Sequence, residues 1–340
     1  MSEVKVNKVS PRSGTTLTIG DSGDTTNIVG TLQNNGSELV GDISSVVAGT
    51  GLSGGGTSGA VTLNVEAAQS GVTSLGTLTA LTVNGNVSID GGTVKLDGNY
   101  PTGTNNVALG NTALDSLTSG NENTAIGAVA LTANTSGCYN VAVGDNALAA
   151  NTTGNDNTTI GMRSLLNNTT GINNTGVGRN ALRENTTAAK NTAVGSSSLA
   201  CNTTGTRNTA VGFCSLTTNT TGDDNTAFGT ESLRANTTGA NNVAVGKNAL
   251  VANTTGDENT AVGCNTLGAN TTADNNTAIG AFALDTNTEG HSNVAVGRSA
   301  LTANTTADNN TAVGFSALST NTTGADNAAF GRRALNSNTT

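Results

Sequence analysis

From about residue 105 the sequence repeats every 17 residues without an insertion. In each unit a glycine ends a short apolar step such as A-V-G or A-I-G; an asparagine stands four residues before it, and a leucine four residues after it. A fixed period of this kind is typical of proteins in which each unit packs only on its neighbours. The coil glycines are Gly110, Gly127, Gly144, Gly161, Gly178, Gly195, Gly212, Gly229, Gly246, Gly263, Gly280, Gly297, Gly314 and Gly331.

The unit is too short and too rich in turn residues for a helical repeat. Helical repeats run to about 33–47 residues and need two amphipathic helices in each unit. The N-T-A-V-G and N-T-T-G steps combine β-branched and turn residues, which disfavour helix. We therefore predict an all-β fold, a parallel β-solenoid (β-roll) of about fourteen 17-residue coils. Each coil is expected to hold two short strands, with turns at the Gly and Asn positions.

Stacked coils place like residues about 4.8 Å apart, so fourteen coils would make a rod of about 67 Å. We expect the leucines and the Val or Ile before each glycine to form the core, and the asparagines to form amide ladders. The glycines are expected to adopt positive φ or to allow close backbone approach. Representative structural positions are Asn123, Gly127, Leu131, Asn140, Gly144, Leu148, Asn191, Gly195 and Leu199.

The predicted core is thin. Only 34% of residues are apolar and 2% aromatic, and the chain contains no Trp. At about 25 cal/mol per Å² of buried apolar surface, one Leu, one Val or Ile and a few methyl groups per coil give a lone chain little stability. We therefore expect a homotrimer, associated along the face of small residues.

The first hundred residues lack the 17-residue period. Short alternating segments at Thr16–Ile19 and Val61–Val65, separated by turn residues, predict brief β-strands. The segment Ser70–Ile89 favours a small β-prism or knob-like collar. We divide the chain into an attachment segment at 1–40, a β-rich collar at 41–104 and the solenoid shaft at 105–340.

Three basic residues near the start, Lys5, Lys8 and Arg12, mark an exposed terminus suited to attachment to a larger particle. The alternative is a frayed terminus. The net charge is −9 and no basic cluster occurs, which argues against nucleic acid as a partner. No run of 18 apolar residues and no signal sequence is present, so we expect no membrane insertion and assembly in a cytoplasm.

The sequence shows no strong metal, disulfide or nucleotide signal, and we expect no cofactor. The four cysteines show neither C-x-x-C spacing nor pairing with the single His291. The G-x-G-x-x-G match at Gly49–Gly54 is followed by a stretch that is not helical, so it is interpreted as a glycine-rich turn. His291 lies in a freely varying column and is interpreted as a surface histidine rather than part of a nucleophilic site. The cysteines are Cys138, Cys201, Cys214 and Cys264.

Acidic residues cluster in the variable turn before each coil asparagine. Asp223 and Asp224, like Asp257 and Glu258, are adjacent, and Asp274 should stack on Asp257. We interpret them as solvated turn acids; a weak cation site and carboxylate-catalysed glycan hydrolysis are the alternatives. Because no apolar pocket or aromatic sugar platform accompanies them, we do not expect an enzyme. The N-T-T triplets match the N-glycosylation pattern but are interpreted as a repeated coil corner.

The repeat NTAVGxxALxxNTTGxx, as in NTAVGSSSLACNTTGTR at residues 191–207, resembles arrays in phage tail-fibre proteins. It is also similar to the SVAIG-type repeats of trimeric autotransporter adhesin heads, which form β-rolls. The opening VNKVSPRSGTTLTIGDSGDTTNIVG, with VVAGTGLSGGGTSGAVTLNV, resembles N-terminal segments of fibres from marine bacteriophages, cyanophages in particular.

The resemblance implies a homotrimeric phage tail fibre located in the virion. Its N-terminal region would dock on other tail proteins, and the fibre would recognise a bacterial surface glycan or receptor. A trimeric cell-surface adhesin and a purely structural virion adaptor are the alternatives, with a glycan-degrading fibre third. Related arrays often precede a self-cleaving C-terminal chaperone, and the sequence has no such domain. We therefore expect a processed or truncated piece of a longer fibre.

Overall fold

A computed structural model of the chain describes residues 103–339 and, for the backbone alone, five short strands before them. The chain divides into two compact units, Met1–Asp90 and Gly91–Thr340. In the first unit, β1 pairs antiparallel with β2, and β4 pairs antiparallel with both β3 and β5. These strands are β1 Gln33–Asn34, β2 Ser37–Glu38, β3 Val46–Val47, β4 Leu52–Gly56 and β5 Leu63–Val65.

The strands of the first unit test only part of what the sequence predicted there. Strand β5 falls within the predicted segment 61–65. Gly54, the third glycine of the G-x-G-x-x-G match, lies in β4 and pairs with Leu63. The motif therefore does not open a helix, and the prediction of a turn is wrong from Leu52 onwards. Residues 16–19 and 70–89, and the three basic residues near the start, lie outside the described residues.

The second unit is a parallel β-solenoid, as the repeat predicts. Fourteen three-residue strands form one sheet in sequence order. A residue of one strand pairs with the residue 17 positions later in the next strand, as Thr192 pairs with Thr209. The described residues contain no helix. The strands are β6 Val107–Leu109, β7 Thr124–Ile126, β8 Val141–Val143, β9 Thr158–Ile160, β10 Thr175–Val177, β11 Thr192–Val194, β12 Thr209–Val211, β13 Thr226–Phe228, β14 Val243–Val245, β15 Thr260–Val262, β16 Thr277–Ile279, β17 Val294–Val296, β18 Thr311–Val313 and β19 Ala328–Phe330.

Each coil contains one strand rather than the two predicted. After the strand the chain bends repeatedly, because the leucine and the residue two positions before it both have positive φ, for example 49° at Leu199 and 58° at Ser197. Left-handed residues at such close spacing prevent an extended strand. Coil-to-coil backbone hydrogen bonds nevertheless continue there: the N–H of Leu199 donates to the carbonyl of Ser215 over 3.0 Å.

The core is narrower than the sequence suggested. From the second coil to the thirteenth, the leucine is fully buried, together with the middle residue of the strand and the small residue before the leucine, as at Leu199, Ala193 and Ser198. Successive strand residues point to opposite faces. Val194 therefore points outward and is 37% exposed. The prediction that the Val or Ile before each glycine belongs to the core is wrong, and alanine methyl groups take that place.

The predicted amide ladders are present, and there are two of them. One is formed by the asparagine that begins each coil, the other by the asparagine of the N-T-T step. In the second ladder, the Asn202 side-chain amide donates to Asn185 Oδ1 and to the carbonyl of Gly205, each over 2.9 Å. These bonds satisfy polar groups that are fully buried, which is the condition for tolerating amides in a core.

The coil glycines are required for two reasons. Each has a positive φ, 137° at Gly212, a region that side-chain-bearing residues rarely enter. A Cβ atom at Gly212 would also lie 2.4 Å from the carbonyl oxygen of Gly229. The chain turns the corner here by stacking backbone directly on backbone, as predicted.

Candidate interaction surfaces

The residues that precede the coil glycines form an outward apolar column along the sheet, in which seven side chains are exposed and seven are half-buried. The exposed fraction is 47% at Ile160, 57% at Phe228 and 70% at Phe330. A column of Val, Ile, Leu and Phe in contact with water is unusual for a soluble monomer, in which apolar side chains cluster inside. The apolar column consists of Leu109, Ile126, Val143, Ile160, Val177, Val194, Val211, Phe228, Val245, Val262, Ile279, Val296, Val313 and Phe330.

The variable turn, the two residues before each coil asparagine, carries side chains that bond to the preceding coil. The N–H of Ala240 donates to Asp257 Oδ1, and the N–H of Asp257 donates in turn to Asp274 Oδ1, each over 2.7 Å. Asp274 thus stacks on Asp257 as expected. The first turn acid of a coil acts as a hydrogen-bond acceptor for the backbone of its neighbour.

His291 lies in the same column as Asp257 and Asp274, and it also accepts a hydrogen bond from the backbone of the preceding coil. Its Nδ1 accepts the N–H of Asp274 over 2.9 Å, and its own N–H donates to Asp308 Oδ1 over 2.6 Å. An Nδ1 that accepts a hydrogen bond leaves the proton of the neutral ring on Nε2. The side chain is 44% exposed, and it lies 3.8 Å from the carboxylate of Asp274. The ring is thus a surface group whose inner nitrogen is held by the backbone.

One of the acidic pairs is joined to a cation. The Arg207 guanidinium donates two hydrogen bonds to Asp224, over 2.6 Å and 2.7 Å. These bonds lower the pKa of the Asp224 carboxyl and raise the pKa of Arg207. Asp223 accepts the N–H of Thr206 over 2.6 Å. Among the described residues, no group of three or more His, Cys, Asp or Glu side chains could hold a metal ion.

An aromatic ring between two cations was not anticipated from the sequence. The guanidinium carbons of Arg298 and Arg332 lie 6.0 Å and 5.7 Å from the ring centre of Phe315. These distances suit cation–π attraction. The signal was available, because the three residues follow their coil glycines at intervals of 17 and must therefore stack.

The predicted structural positions are distributed as the coil dictates. The asparagines and leucines are fully buried, whereas the glycines have φ of 133° to 134°. Each therefore supports the scaffold, and none reaches an exposed site. These positions are Asn123, Gly127, Leu131, Asn140, Gly144, Leu148, Asn191, Gly195 and Leu199.

One shallow depression of about 410 Å³ is lined by Cys214, Thr217, Thr218, Arg234 and Ala235. It is open to solvent, and its lining is mostly apolar. The described residues form no helix with the length and apolar character needed to cross a membrane. Comparisons with protein-family models, with curated proteins and with solved structures find no match to this chain.

Proposed function

We propose that this chain is a structural fibre of a virion, a homotrimeric phage tail fibre that docks on other tail proteins through its N-terminal region and recognises a bacterial surface. The observation that carries the proposal is the in-register stack of fourteen coils. At about 4.8 Å per coil the stack extends about 67 Å along its axis. A rod of this kind can hold binding groups away from the particle that bears it.

The outward columns support a role in recognition. Inward positions hold the same residue types in nearly every coil, whereas the two residues after the coil leucine change from one coil to the next. The side chains displayed outward are largely hydroxyls, amides and charges, which suit the hydroxyl groups of a surface glycan. Because several weak contacts on one rod act at high effective concentration, modest individual affinities would suffice for adsorption.

Imaging and competition experiments test the proposal. Antibodies against residues 1–100 and against the last coils should label the proximal and distal parts of a tail appendage, respectively. The purified chain, added before infection, should reduce adsorption of the particle to its host. Labelling confined to a joint between other tail proteins would instead identify an adaptor. Labelling of a cell envelope in uninfected cells would identify an adhesin, and either result would overturn the tail-fibre proposal.

A further inference from the structure

The strand face, defined as the outward side of strands β6 to β19, contains the apolar column. The residues on its two sides carry opposite charges. The acidic edge, defined as the variable turns, carries nine carboxylates and two permanent cations, a net charge of −7 with His291 neutral. The basic edge, defined as the two residues after each coil glycine, carries six cations and two carboxylates, a net charge of +4. The charged residues are Glu122, Asp156, Lys190, Arg207, Asp223, Asp224, Asp257, Glu258, Asp274, Asp308 and Asp326 on the acidic edge, and Asp145, Arg163, Arg179, Glu231, Lys247, Arg298, Arg332 and Arg333 on the basic edge.

The two edges flank the apolar column by chain order. The variable turn immediately precedes the coil asparagine and the strand, whereas the basic edge follows the glycine that ends the strand. The six basic-edge cations are all exposed, and the acids are exposed or half-buried. The apolar column thus lies between the negatively charged acidic edge and the positively charged basic edge.

The strand face is large enough to form a protein–protein interface. Fourteen coils at about 4.8 Å and three strand residues at about 3.3 Å outline a face of roughly 67 by 10 Å, or about 670 Å². A stable protein–protein interface buries about 800 Å² on each partner. Each strand contributes two outward residues to this face, the Thr, Val or Ala that begins the strand and the residue of the apolar column. The face alone approaches the area of a standard interface before either edge is included.

We propose that this strand face binds further copies of the same chain, with all the solenoid axes parallel and in register. This inference rests on the homotrimeric fibre proposed above. It places the contact on the strand face instead of on the small residues, since those are buried inside the coil, as at Ala193 and Ser198, and it adds the direction of assembly. When parallel copies are related by rotation about a common axis, the acidic edge of each chain meets the basic edge of the next. When two copies pack face to face with antiparallel axes, acidic edge meets acidic edge and basic meets basic. Like charges in contact are unfavourable, so the charge pattern selects the parallel arrangement.

The charge pattern also selects a self-complementary partner over another protein. The opposite signs reside on one chain and at matching heights, because the two edges belong to the same coils. Lys247 and Glu258, and likewise Arg332 and Asp326, lie within about one coil of each other. A second copy in register supplies complementary charge along the whole strand face without any other component.

The first test measures assembly of the full-length chain by sedimentation. Ile160→Glu with Phe228→Glu places two charges in the apolar column. Because buried unpaired charge is costly, we expect association to weaken about a hundredfold or more while the circular dichroism of the coils is retained. The matched control is Thr170→Glu with Thr238→Glu, in an exposed column where Glu289 occurs naturally. A monomeric wild type, or equal weakening by the control, overturns the proposal.

The second test determines whether the associated chains run parallel or antiparallel. Lys247→Glu with Arg332→Glu should weaken association, and adding Glu258→Lys with Asp326→Lys should restore it. Spin labels at residue 111, after replacing the native cysteines, should report a separation well below 40 Å between copies, whereas antiparallel copies would hold them about 60 Å apart, some thirteen coils. The long distance, or failure of the charge exchange, overturns the parallel arrangement.

If a parallel assembly forms but neither blocks adsorption nor labels a tail, the fibre function fails and this inference stands. A monomer that blocks adsorption gives the reverse result.

Discussion

The Oδ1 atom of Asn123 accepts two hydrogen bonds from Asn140 in the next coil, one from the backbone N–H over 3.0 Å and one from the side-chain amide over 3.1 Å. The same amide of Asn140 donates to the carbonyl of Gly154 over 2.9 Å. One buried side chain thus joins its own coil to the previous coil and closes the turn that follows. Repetition of this bond pattern converts a sequence period into a stacking register.

Replacing Asn140 by alanine should destabilise the solenoid by about 2–5 kcal/mol. The substitution leaves the N–H of Asn157 without this partner, and a buried unsatisfied group costs about 1–3 kcal/mol. It also removes the side-chain hydrogen bonds that Asn140 makes to Asn123 and to the carbonyl of Gly154, which keeps its bond from Asn151. Urea unfolding of the full chain measures the loss. Asn111→Ala is the control, because Asn111 is exposed, and it should change the unfolding free energy by less than about 0.5 kcal/mol. Equal effects would show that the ladder contributes no stability.

The two kinds of glycine in a coil should respond differently to alanine. Gly212→Ala should cost about 1–3 kcal/mol in strain alone, because φ is 137°, and the clash with the Gly229 carbonyl adds to that. Gly222, in the N-T-T-G step, also lies close to a carbonyl, but alanine occupies the equivalent position at Ala188 and Ala273. Gly222→Ala should therefore cost less than about 1 kcal/mol. Thermal unfolding of both variants checks the difference, and a larger loss at Gly222 would contradict it.

The leucine column allows a comparison within one residue type. Leu233→Ala removes a fully buried side chain and should cost about 2–5 kcal/mol, because a cavity remains between neighbouring coils. Leu335 occupies the same column in the last described coil but is 50% exposed. Leu335→Ala should cost less than about 1 kcal/mol. Similar losses in urea unfolding would show that burial in the central coils is not what stabilises them.

The sequence was sufficient to predict the fold of the repeat and its register. A strict 17-residue period leaves one way to stack like residues, and the ladder of Asn123 on Asn140 and the positive φ of Gly144 follow from it. The orientation of the Val and Ile column was not predictable from residue type alone. Alternation along the strand places either Val194 or Ala193 inside, and in the fold Ala193 is the residue buried beside the leucine of the same coil.

The candidate surfaces were harder to predict than the scaffold. The number of strands per coil depends on backbone angles, and a leucine with φ near 50° has no sequence signature of its own. The residue types of the variable turn differ from coil to coil and show no pattern along the chain. The excess of acidic residues in the turn becomes informative only when it is compared with the excess of basic residues after the coil glycines. The stacking of Arg298 and Arg332 on Phe315 likewise follows from columns rather than from any local motif.

The partly buried carboxyl of Asp285 makes the stability of the solenoid depend on pH. Burial raises the pKa of this carboxyl, which lies over Gly268 of the preceding coil. A raised pKa in the folded state means that folding favours the protonated form. The contribution to stability is full below the unfolded-state pKa and is lost as the pH rises through the higher folded-state pKa.

Asp285→Asn removes the titrating group and keeps the shape of the side chain. The variant should be slightly more stable than the wild type at pH 7, and this advantage should shrink as the pH falls below the unfolded-state pKa. Because the group is partly exposed, solvent screening keeps the difference small. Asp115→Asn is the control, since Asp115 occupies the same column in an exposed position and its substitution removes the same charge. Urea unfolding at pH 3 and pH 7 measures both variants. An equal gain from Asp115→Asn would assign the effect to net charge, because only a buried carboxylate gains from neutralisation at its own site.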